Sequence, residues 1–324
     1  MSASPTQAGM TMSIRLDNAQ IEQNLLPPVT PATIQRVREG VAAASDRTVR
    51  QCIQNAFENI EIIAEGGCDR RASGWLRHWV MRSLIHTFFR VRVEYPERIP
   101  KESAILAANH LSHIDPFLIL SEVPAHPYYY IPGDARTLYN RWWKRQVLGW
   151  ARGVIPLKRR WKEEIAVIEA AKVGRKELAD LAAAVERDVP TGADLHTLRW
   201  IDRAVQAILA RGDGMMIFPE GKLGSSEGQL QLPLARGVAI YALRAGVPIV
   251  PVGLIGTQDL YFRKELTIRF GEPLRFSPCD RPKPQEVKTA LETLQDSLIE
   301  LLPKNYQEPN EVKLLRYFLN HFFW

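Results

Sequence analysis

Short apolar runs alternate with stretches of helical periodicity along most of the chain. The runs have the length of buried strands, and they cover 91–95, 104–108, 128–131, 154–157, 215–218, 249–252 and 266–270. Between most of them, apolar residues recur at the three- and four-residue spacing of helices. This alternation predicts the α/β class, with a mixed, largely parallel central sheet flanked by helices.

The pattern divides the chain into four consecutive parts. Residues 1–30 begin with a polar stretch and predict a disordered or irregular N-terminus. Helical spacing over 31–73 predicts a helical N-terminal extension that contains two helices. The alternating runs predict a main domain over 74–280, with a charge-rich helical insertion at about 162–200. Residues 281–324 are expected to form C-terminal helices.

Composition narrows the class of protein. Of the 324 residues, 46% are hydrophobic and 24% are charged, which excludes a disordered chain, a collagen and a multi-span membrane protein. No segment reaches the ~20 apolar residues of a membrane helix. Residues 1–14 lack the basic start and apolar core of a signal peptide, so a cytoplasmic location is expected. The three cysteines are widely spaced, which indicates a reducing compartment and neither a disulfide framework nor a metal cluster.

A histidine and an aspartate follow the apolar run 104–108. His110 stands just past the end of that run, where open α/β sheets usually bind their ligands. Asp115 could hold one imidazole nitrogen of His110 across a turn, which leaves the other nitrogen free to act as a general base. His113 is a second candidate, but the separation from Asp115 favours His110.

The same residues also suit the start of a helix. Asp115 is followed by Pro116, a pair typical of the first positions of a helix, and Ser112 stands three residues earlier. Capping alone would account for Asp115 and Ser112 without any chemistry. The spacing by itself leaves catalysis and capping open.

The formal net charge of +6 suits anionic partners, and the positive charge is concentrated in one segment. Residues 135–162 contain nine basic residues, no acidic residue and four of the eight tryptophans. Interleaved cations and indoles suit a membrane interface, as does the amphipathic basic helix expected over 74–90. Nucleic-acid binding and a solvated basic face are the alternatives. Lys158 and Arg159 follow the run 154–157 and form a natural phosphate site.

Two candidate sites follow the run 215–218. Glu220 and Gly221 form an acidic turn directly after it. The carboxylate could bind a polyol hydroxyl or orient a base, or the turn could be purely structural. Residues 224–228 match the Gly-x-Ser-x-Gly pattern of serine hydrolases, with Ser226 as the nucleophile. That pattern needs a strand directly before it and a helix directly after it, and neither is expected here, so a hydrolase is a distant alternative.

Taken in order, these motifs resemble the sequence blocks of the glycerophospholipid acyltransferases, of the lysophosphatidic acid acyltransferase type. The four blocks are Asn109-His110-x-Ser112-x-x-Asp115, 153–159 ending in Arg159, Phe218-Pro219-Glu220-Gly221, and 247–253. Lys222-Leu223-Gly224 depart from the family pattern, which has Thr-Arg-Ser after the third block. The insertion at 162–200 and the helices over 31–64 also lie outside that pattern.

The resemblance implies a glycerolipid acyltransferase-like fold and a transfer reaction. A fatty acyl group would move from a thioester, either acyl-CoA or acyl carrier protein, to a hydroxyl of a lysophospholipid. The expected reaction converts 1-acyl-glycerol-3-phosphate to phosphatidic acid, with glycerol-3-phosphate or another lipid as the alternative acceptor. No cofactor, metal or nucleic acid is implied. The protein would associate peripherally with a membrane surface through its basic, Trp-rich segments. A non-enzymatic lipid-binding protein is a second distant alternative.

The resemblance also assigns roles to residues of this chain. His110 would be the general base, with Asp115 holding its imidazole. Arg159, with Lys158, would bind the phosphate of the acceptor. The other substrate-binding residues implied by the blocks are Asn109, Ser112, Glu220 and Gly221, of which the last two would position the glycerol part.

Overall fold

A computed structural model describes residues 26–67, 71–192 and 195–322. Within these ranges, a sheet of seven strands forms the centre of the protein. The strands are β1 (Arg90–Glu94), β2 (Ile105–Ala108), β3 (Tyr129–Asp134), β4 (Val154–Leu157), β5 (Gly214–Ile217), β6 (Ile249–Ile255) and β7 (Glu265–Phe270). Each of the seven predicted runs overlaps one of these strands.

The strand order across the sheet places the end of β2 near the middle. The order is β1-β7-β6-β2-β5-β3-β4. Strands β6, β2, β5, β3 and β4 are parallel, whereas β7 is antiparallel to β6 and parallel to β1. The prediction of a mixed, largely parallel sheet is therefore confirmed. Because parallel strands end at the same edge, the segments that follow β6, β2 and β5 meet there.

Helices cover both faces of the sheet. They are α1 (Pro31–Ser45), α2 (Arg47–Ala64), α3 (Gly74–Phe88), α4 (Asp115–Glu122), α5 (Ala135–Tyr139), α6 (Trp142–Ala151), α7 (Lys162–Lys172), α8 (Ala179–Asp188), α9 (Leu195–Ala210), α10 (Gly237–Ala245), α11 (Pro284–Leu301) and α12 (Arg316–Phe322). None of the helices in the described ranges is both long enough and apolar enough to cross a membrane.

Alternate residues of β2 enter two different hydrophobic cores. Leu106 and Ala108 pack in the core formed with α3 and α4. Ile105 and Ala107 pack in the core on the opposite face, which includes side chains from α2, α9, α10 and α11. All four residues are fully buried. Burial on both faces explains why this strand is a continuous apolar run in the sequence rather than an alternating one.

The N-terminal extension contains the two predicted helices. The side chain of Thr30 caps α1 and that of Asp46 caps α2, each by accepting a backbone N–H bond. Helix α1 packs against α7 and α8 in a small separate core, and α2 packs against α9 and β4. The extension therefore contacts the predicted insertion. Residues 1–25 of the predicted irregular N-terminus lie outside the described residues, and the proposed domain boundaries stay predictions.

A close contact between α1 and Trp161 gives a testable result. A β-carbon at Gly40 would lie 2.6 Å from Cζ3 of the Trp161 ring. We expect Gly40→Ala to lower the free energy of unfolding by about 1–3 kcal/mol, because the packed ring must move. The matched control is Gly149→Ala in α6, where a β-carbon meets no atom within 4 Å. That variant should be stabilised by about 0.5–1 kcal/mol, because alanine favours a helix over glycine. Urea unfolding measures the free energy of unfolding of both variants. Equal stabilisation of the two would contradict the close packing of α1 against Trp161.

Candidate active site

His110 and Asp115 form a hydrogen-bonded pair at the carboxyl end of β2. Nδ1 of His110 lies 2.9 Å from Oδ2 of Asp115. The Asp115 side chain is fully buried, whereas that of His110 is 17% exposed. A carboxylate only accepts hydrogen bonds, so the pair places the imidazole proton on Nδ1. Nε2 has no hydrogen-bond partner among the described residues, and it is the nitrogen that can take a proton.

The turn before α4 fixes the carboxylate. Oδ2 of Asp115 also accepts the backbone N–H groups of Leu111 at 2.7 Å and Ser112 at 2.9 Å. Asp115 is the first residue of α4, and Ile114 stands at the capping position without a side-chain hydrogen bond to the helix. Helix capping therefore does not account for Asp115. Its carboxylate faces back to the turn and to His110.

An aromatic ring supports the imidazole. The ring of Phe218, which directly follows β5, stacks on His110 with 4.1 Å between centroids and 24° between planes. This contact restricts the rotation of the imidazole, and with Asp115 it fixes the direction of Nε2. Within the sequence block Phe218-Pro219-Glu220-Gly221, spacing alone does not reveal this role of Phe218, although an aromatic residue two positions before Glu220 is a visible signal.

The carboxylate of Glu220 is buried and accepts hydrogen bonds from the backbone. The residue is 8% exposed, and its two carboxylate oxygens accept the backbone N–H groups of His110 and Gln231, each at 2.8 Å. Burial raises the pKa of Glu220, and the two N–H groups oppose that rise. Glu220 thus connects the loop after β5 to the residue that carries the imidazole. Its role toward a substrate stays a prediction.

Asn109 and Ser112 make their contacts within the protein. The amide of Asn109 donates to Leu254 O at 2.9 Å and accepts Leu254 N–H at 2.7 Å, which joins the ends of β2 and β6. Oγ of Ser112 accepts the N–H of Ile114 at 3.5 Å. Both side chains therefore shape the loop that carries His110. Their predicted contact with a substrate stays a prediction.

The two predicted phosphate-binding residues point in different directions. Arg159 is exposed, and its guanidinium donates to Gly221 O at 2.9 Å, so the second and third sequence blocks touch. Nζ of Lys158 lies 4.2 Å from the centroid of the Phe57 ring on α2. Burial lowers the pKa of Lys158. In the described part of the chain, no hydrogen bond or ion pair joins Lys158 to His110.

His113 is a second imidazole beside the pair. Its ring centroid lies 6.4 Å from that of His110, edge to face. Burial lowers the pKa of His113 to about 4, and electrostatic interactions with Lys144 and His110 add to this effect. His113 is therefore neutral at neutral pH. It contributes a polar ring to the site and no charge.

The titration of His113 predicts how stability depends on pH. Its folded pKa of about 4 lies below the ordinary value of 6.5, so the unfolded chain binds more protons between these values. Stability therefore falls as the pH decreases through this window, by up to about 3 kcal/mol from this group. We expect His113→Gln to reduce that loss, and exposed His196→Gln to retain it, in urea unfolding between pH 7 and pH 4. If the free energy of unfolding fell by the same amount for His113→Gln and the wild type over this pH range, the lowered pKa of His113 would be contradicted.

The tryptophans of the basic segment are divided between surface and interior contacts. On α6, Trp142 is 71% exposed and Trp150 is 39% exposed. Trp143 stacks on Phe322 of α12, with 4.8 Å between centroids. Nε1 of Trp161 donates to Oδ2 of Asp134 at 2.7 Å. Two of the four indoles are thus free to contact a surface outside the protein, and two have partners inside it.

The geometry disfavours the serine hydrolase. Residues 224–228 form an irregular loop, and the next helix, α10, begins only at Gly237. No hydrogen bond joins Ser226 to a histidine in the described ranges. The strand–turn–helix arrangement that activates such a serine is absent from this loop. The same ranges contain no group of three or more His, Cys, Asp or Glu side chains arranged to hold a metal ion.

The family model and a curated relative agree with the sequence blocks. The family model described as Acyltransferase matches residues 90–255, just over half of the 324 residues. A curated relative, the "Probable 1-acyl-sn-glycerol-3-phosphate acyltransferase" of Mycoplasma pneumoniae, is 24% identical over 179 residues, or 52% of this chain. The aligned part spans 50% of that relative. Among solved structures, the 1-acyl-sn-glycerophosphate (LPA) acyltransferase PlsC from Thermotoga maritima aligns with 80% of this chain and 86% of its own. Its TM-score is 0.37 and its identity is 18%.

Proposed function

The chain belongs to the acyltransferase family, and from this premise we propose that it transfers a fatty acyl group from a thioester to a hydroxyl of a lysophospholipid. The proposed acceptor is 1-acyl-glycerol-3-phosphate and the product is phosphatidic acid. The observation that carries the proposal is the buried Asp115 carboxylate on Nδ1 of His110, with Nε2 unpartnered among the residues that the structure describes. The name of the curated Mycoplasma relative supports the choice of acceptor.

His110 supplies the general base in the proposed mechanism. A neutral alcohol is a weak nucleophile, so Nε2 takes its proton as the oxygen attacks the thioester carbonyl. Asp115 stabilises the imidazolium that forms. The tetrahedral intermediate collapses with cleavage of the carbon–sulfur bond, and the imidazolium returns its proton to the thiolate. One ester and one thiol are formed, and His110 ends the cycle neutral.

Arg159 and the Glu220–Gly221 turn form the proposed acceptor site. Arg159 donates a hydrogen bond to Gly221 O. Its positive charge therefore lies beside the loop that follows Phe218, whose ring stacks on His110. A guanidinium is suited to bind a phosphate with two parallel hydrogen bonds. Glycerol-3-phosphate carries the same phosphate and is the alternative acceptor. Leu223 stands where the family pattern has arginine, so the acceptor must be tested directly.

A substrate panel tests the proposed function. Purified protein is incubated with labelled acyl-CoA or labelled acyl carrier protein and with each acceptor in turn. Label in phosphatidic acid with lysophosphatidic acid as acceptor is the expected result. Label in 1-acyl-glycerol-3-phosphate with glycerol-3-phosphate as acceptor would support the alternative. Release of free fatty acid without any ester product would contradict acyl transfer. The same panel identifies the donor.

The proposed membrane contact rests on exposed indoles. Trp75 and Trp79 lie four residues apart on α3, so they share one face of the helix, and they are 66% and 56% exposed. Indoles suit the headgroup region of a bilayer. We expect the double variant Trp75→Ala/Trp79→Ala to bind anionic liposomes about tenfold more weakly. Val173→Ala, at a residue 87% exposed, is the control and should bind like the wild type. Equal co-sedimentation of the double variant and the wild type would remove α3 from the proposed contact.

A further inference from the structure

The helical insertion, which includes α7 and α8, contacts the backbone of the loop that carries Arg159. This loop, residues 158–161, connects β4 to α7. Arg160 donates from Nε to Val189 O at 3.1 Å and from Nη2 to Glu186 O at 3.3 Å. These carbonyls lie at the C-terminal end of α8, where the last carbonyls of a helix lack partners and favour a cation. The loop is thereby joined to the second helix of the insertion.

The turn after α8 lies directly against the same loop. A β-carbon at Gly192 would lie 1.9 Å from Lys158 O and 2.9 Å from Cα of Arg159. Both are backbone atoms, which no side-chain rotation can move away. The φ angle of Gly192 is +69°, in the left-handed region that favours glycine. The insertion and the loop therefore meet at a distance that only glycine allows.

A buried ion pair also holds the loop. Nη1 and Nη2 of Arg136 donate to the two carboxylate oxygens of Glu164, which is fully buried. Nη2 also donates to Arg159 O at 2.9 Å, and Oε2 of Glu164 accepts the N–H of Trp161 at 2.7 Å. The pair thus fixes the carbonyl of Arg159 and the N–H two residues later. Glu164 belongs to α7, so the insertion supplies one half of this contact.

The side chain of Arg159 extends from this fixed backbone toward the catalytic pair. The residue is exposed, and its guanidinium donates to Gly221 O at 2.9 Å. An exposed arginine loses side-chain entropy when it binds a ligand, and fixing its backbone reduces that cost. The fixed backbone also directs the guanidinium to the loop that follows Phe218, whose ring stacks on His110.

We propose that the helical insertion is the positioning element of Arg159: its contacts with loop 158–161 hold the guanidinium beside Gly221, where it binds the phosphate of the lysolipid acceptor. This inference rests on the proposed role of Arg159 in acyl transfer. It gives a function to a segment that lies outside the sequence blocks of the family. In the described ranges, no hydrogen bond joins the insertion to His110 or Asp115, so it acts on acceptor binding and not on the chemical step.

Gly192→Ala tests the inference, with Gly174→Ala as the matched control. Gly174 also belongs to the insertion and has a φ of +116°, but a β-carbon there would meet no atom within 4 Å. We expect Gly192→Ala to raise KM for lysophosphatidic acid about tenfold to a hundredfold, because a hydrogen bond to a charged group is lost. kcat at saturating acceptor and KM for the acyl donor should stay at the wild-type values. An unchanged acceptor KM, or an equal rise in the control, would overturn the inference.

A double-mutant cycle with Arg159→Ala separates positioning from general damage to the fold. If the insertion acts through Arg159, Gly192→Ala should not raise the acceptor KM further in the Arg159→Ala protein. An equal rise in both backgrounds would overturn the inference.

A second variant keeps the test open if Gly192→Ala does not fold. Arg136→Met/Glu164→Met removes both buried charges together, so that neither is left unpaired. It should fold and raise the acceptor KM in the same way, again only while Arg159 is present. A folded double variant with the wild-type KM would contradict the positioning role.

A binding measurement distinguishes this inference from the proposed function. Glycerol 3-phosphate, used as a probe, should raise the Tm of the wild type and of Gly174→Ala, and should raise that of Gly192→Ala and Arg159→Ala less. This pattern without any turnover by the wild type would contradict acyl transfer and support the positioning of Arg159. Equal shifts in all four proteins, including none, would overturn the inference.

Discussion

Replacement of His110 by alanine is expected to reduce kcat for acyl transfer by about 10⁴-fold, the upper range for loss of a general base. The reason is geometric. Within the described ranges Nε2 has no hydrogen-bond partner, and the other nitrogen of the imidazole is held by a buried carboxylate. Without that base the acceptor hydroxyl keeps its proton during attack. The measurement is the rate of phosphatidic acid formation from labelled thioester and lysophosphatidic acid.

A matched control separates chemistry from folding in this experiment. His196 is an exposed histidine on α9, and His196→Ala should retain the wild-type kcat. The His110 variant should keep a cooperative thermal transition, because its ring is partly exposed and Asp115 retains its hydrogen bonds from the backbone N–H groups of Leu111 and Ser112. A folded His110→Ala protein with more than about one tenth of the wild-type rate would show that another group acts as the base.

Asp115→Asn is expected to reduce kcat by about 10³–10⁴-fold. An amide removes the negative charge that stabilises the imidazolium. Oδ1 of Asp115 is buried without a hydrogen-bond partner in the described structure, so the amide nitrogen loses no existing bond there. We therefore expect the Tm to change little while turnover falls. KM for the acceptor should stay near the wild-type value.

Two outcomes would contradict this account of Asp115. Full activity of Asp115→Asn would mean that the carboxylate only holds the turn through Leu111 and Ser112. A loss of activity in proportion to a loss of folded protein would likewise indicate that Asp115 has only a structural role in the turn. Circular dichroism and kinetics on one preparation distinguish these outcomes from the expected one.

The sequence predicts the sheet well for a physical reason. Strands buried on both faces must be apolar at every position, so runs such as 104–108 and 249–252 are visible without any tertiary information. The pairing of His110 with Asp115 is equally local, since a five-residue separation across one turn sets their distance. Spacing along the chain therefore predicts side-chain pairs that lie within one loop.

Contacts between distant segments were not predictable in the same way. Lys158 and Arg159 are adjacent in the chain, yet one ammonium lies on the Phe57 ring and the other cation reaches Gly221. Their separation depends on α2, whose position no local pattern reveals. Burial of Lys144 within a basic segment is a further case, because the charge pattern of α6 gives no sign of which cation faces inward.

The His110–Asp115 pair is proposed to activate a lysolipid hydroxyl for direct attack on a thioester. The most direct measurement follows labelled acyl thioester in a single turnover, with and without lysophosphatidic acid, for the wild type and for His110→Ala. We predict that label enters phosphatidic acid only when the acceptor is present and His110 is intact, with none bound to the protein. Label retained on the protein, label released as free fatty acid, or phosphatidic acid formed at the wild-type rate without His110 would contradict the claim.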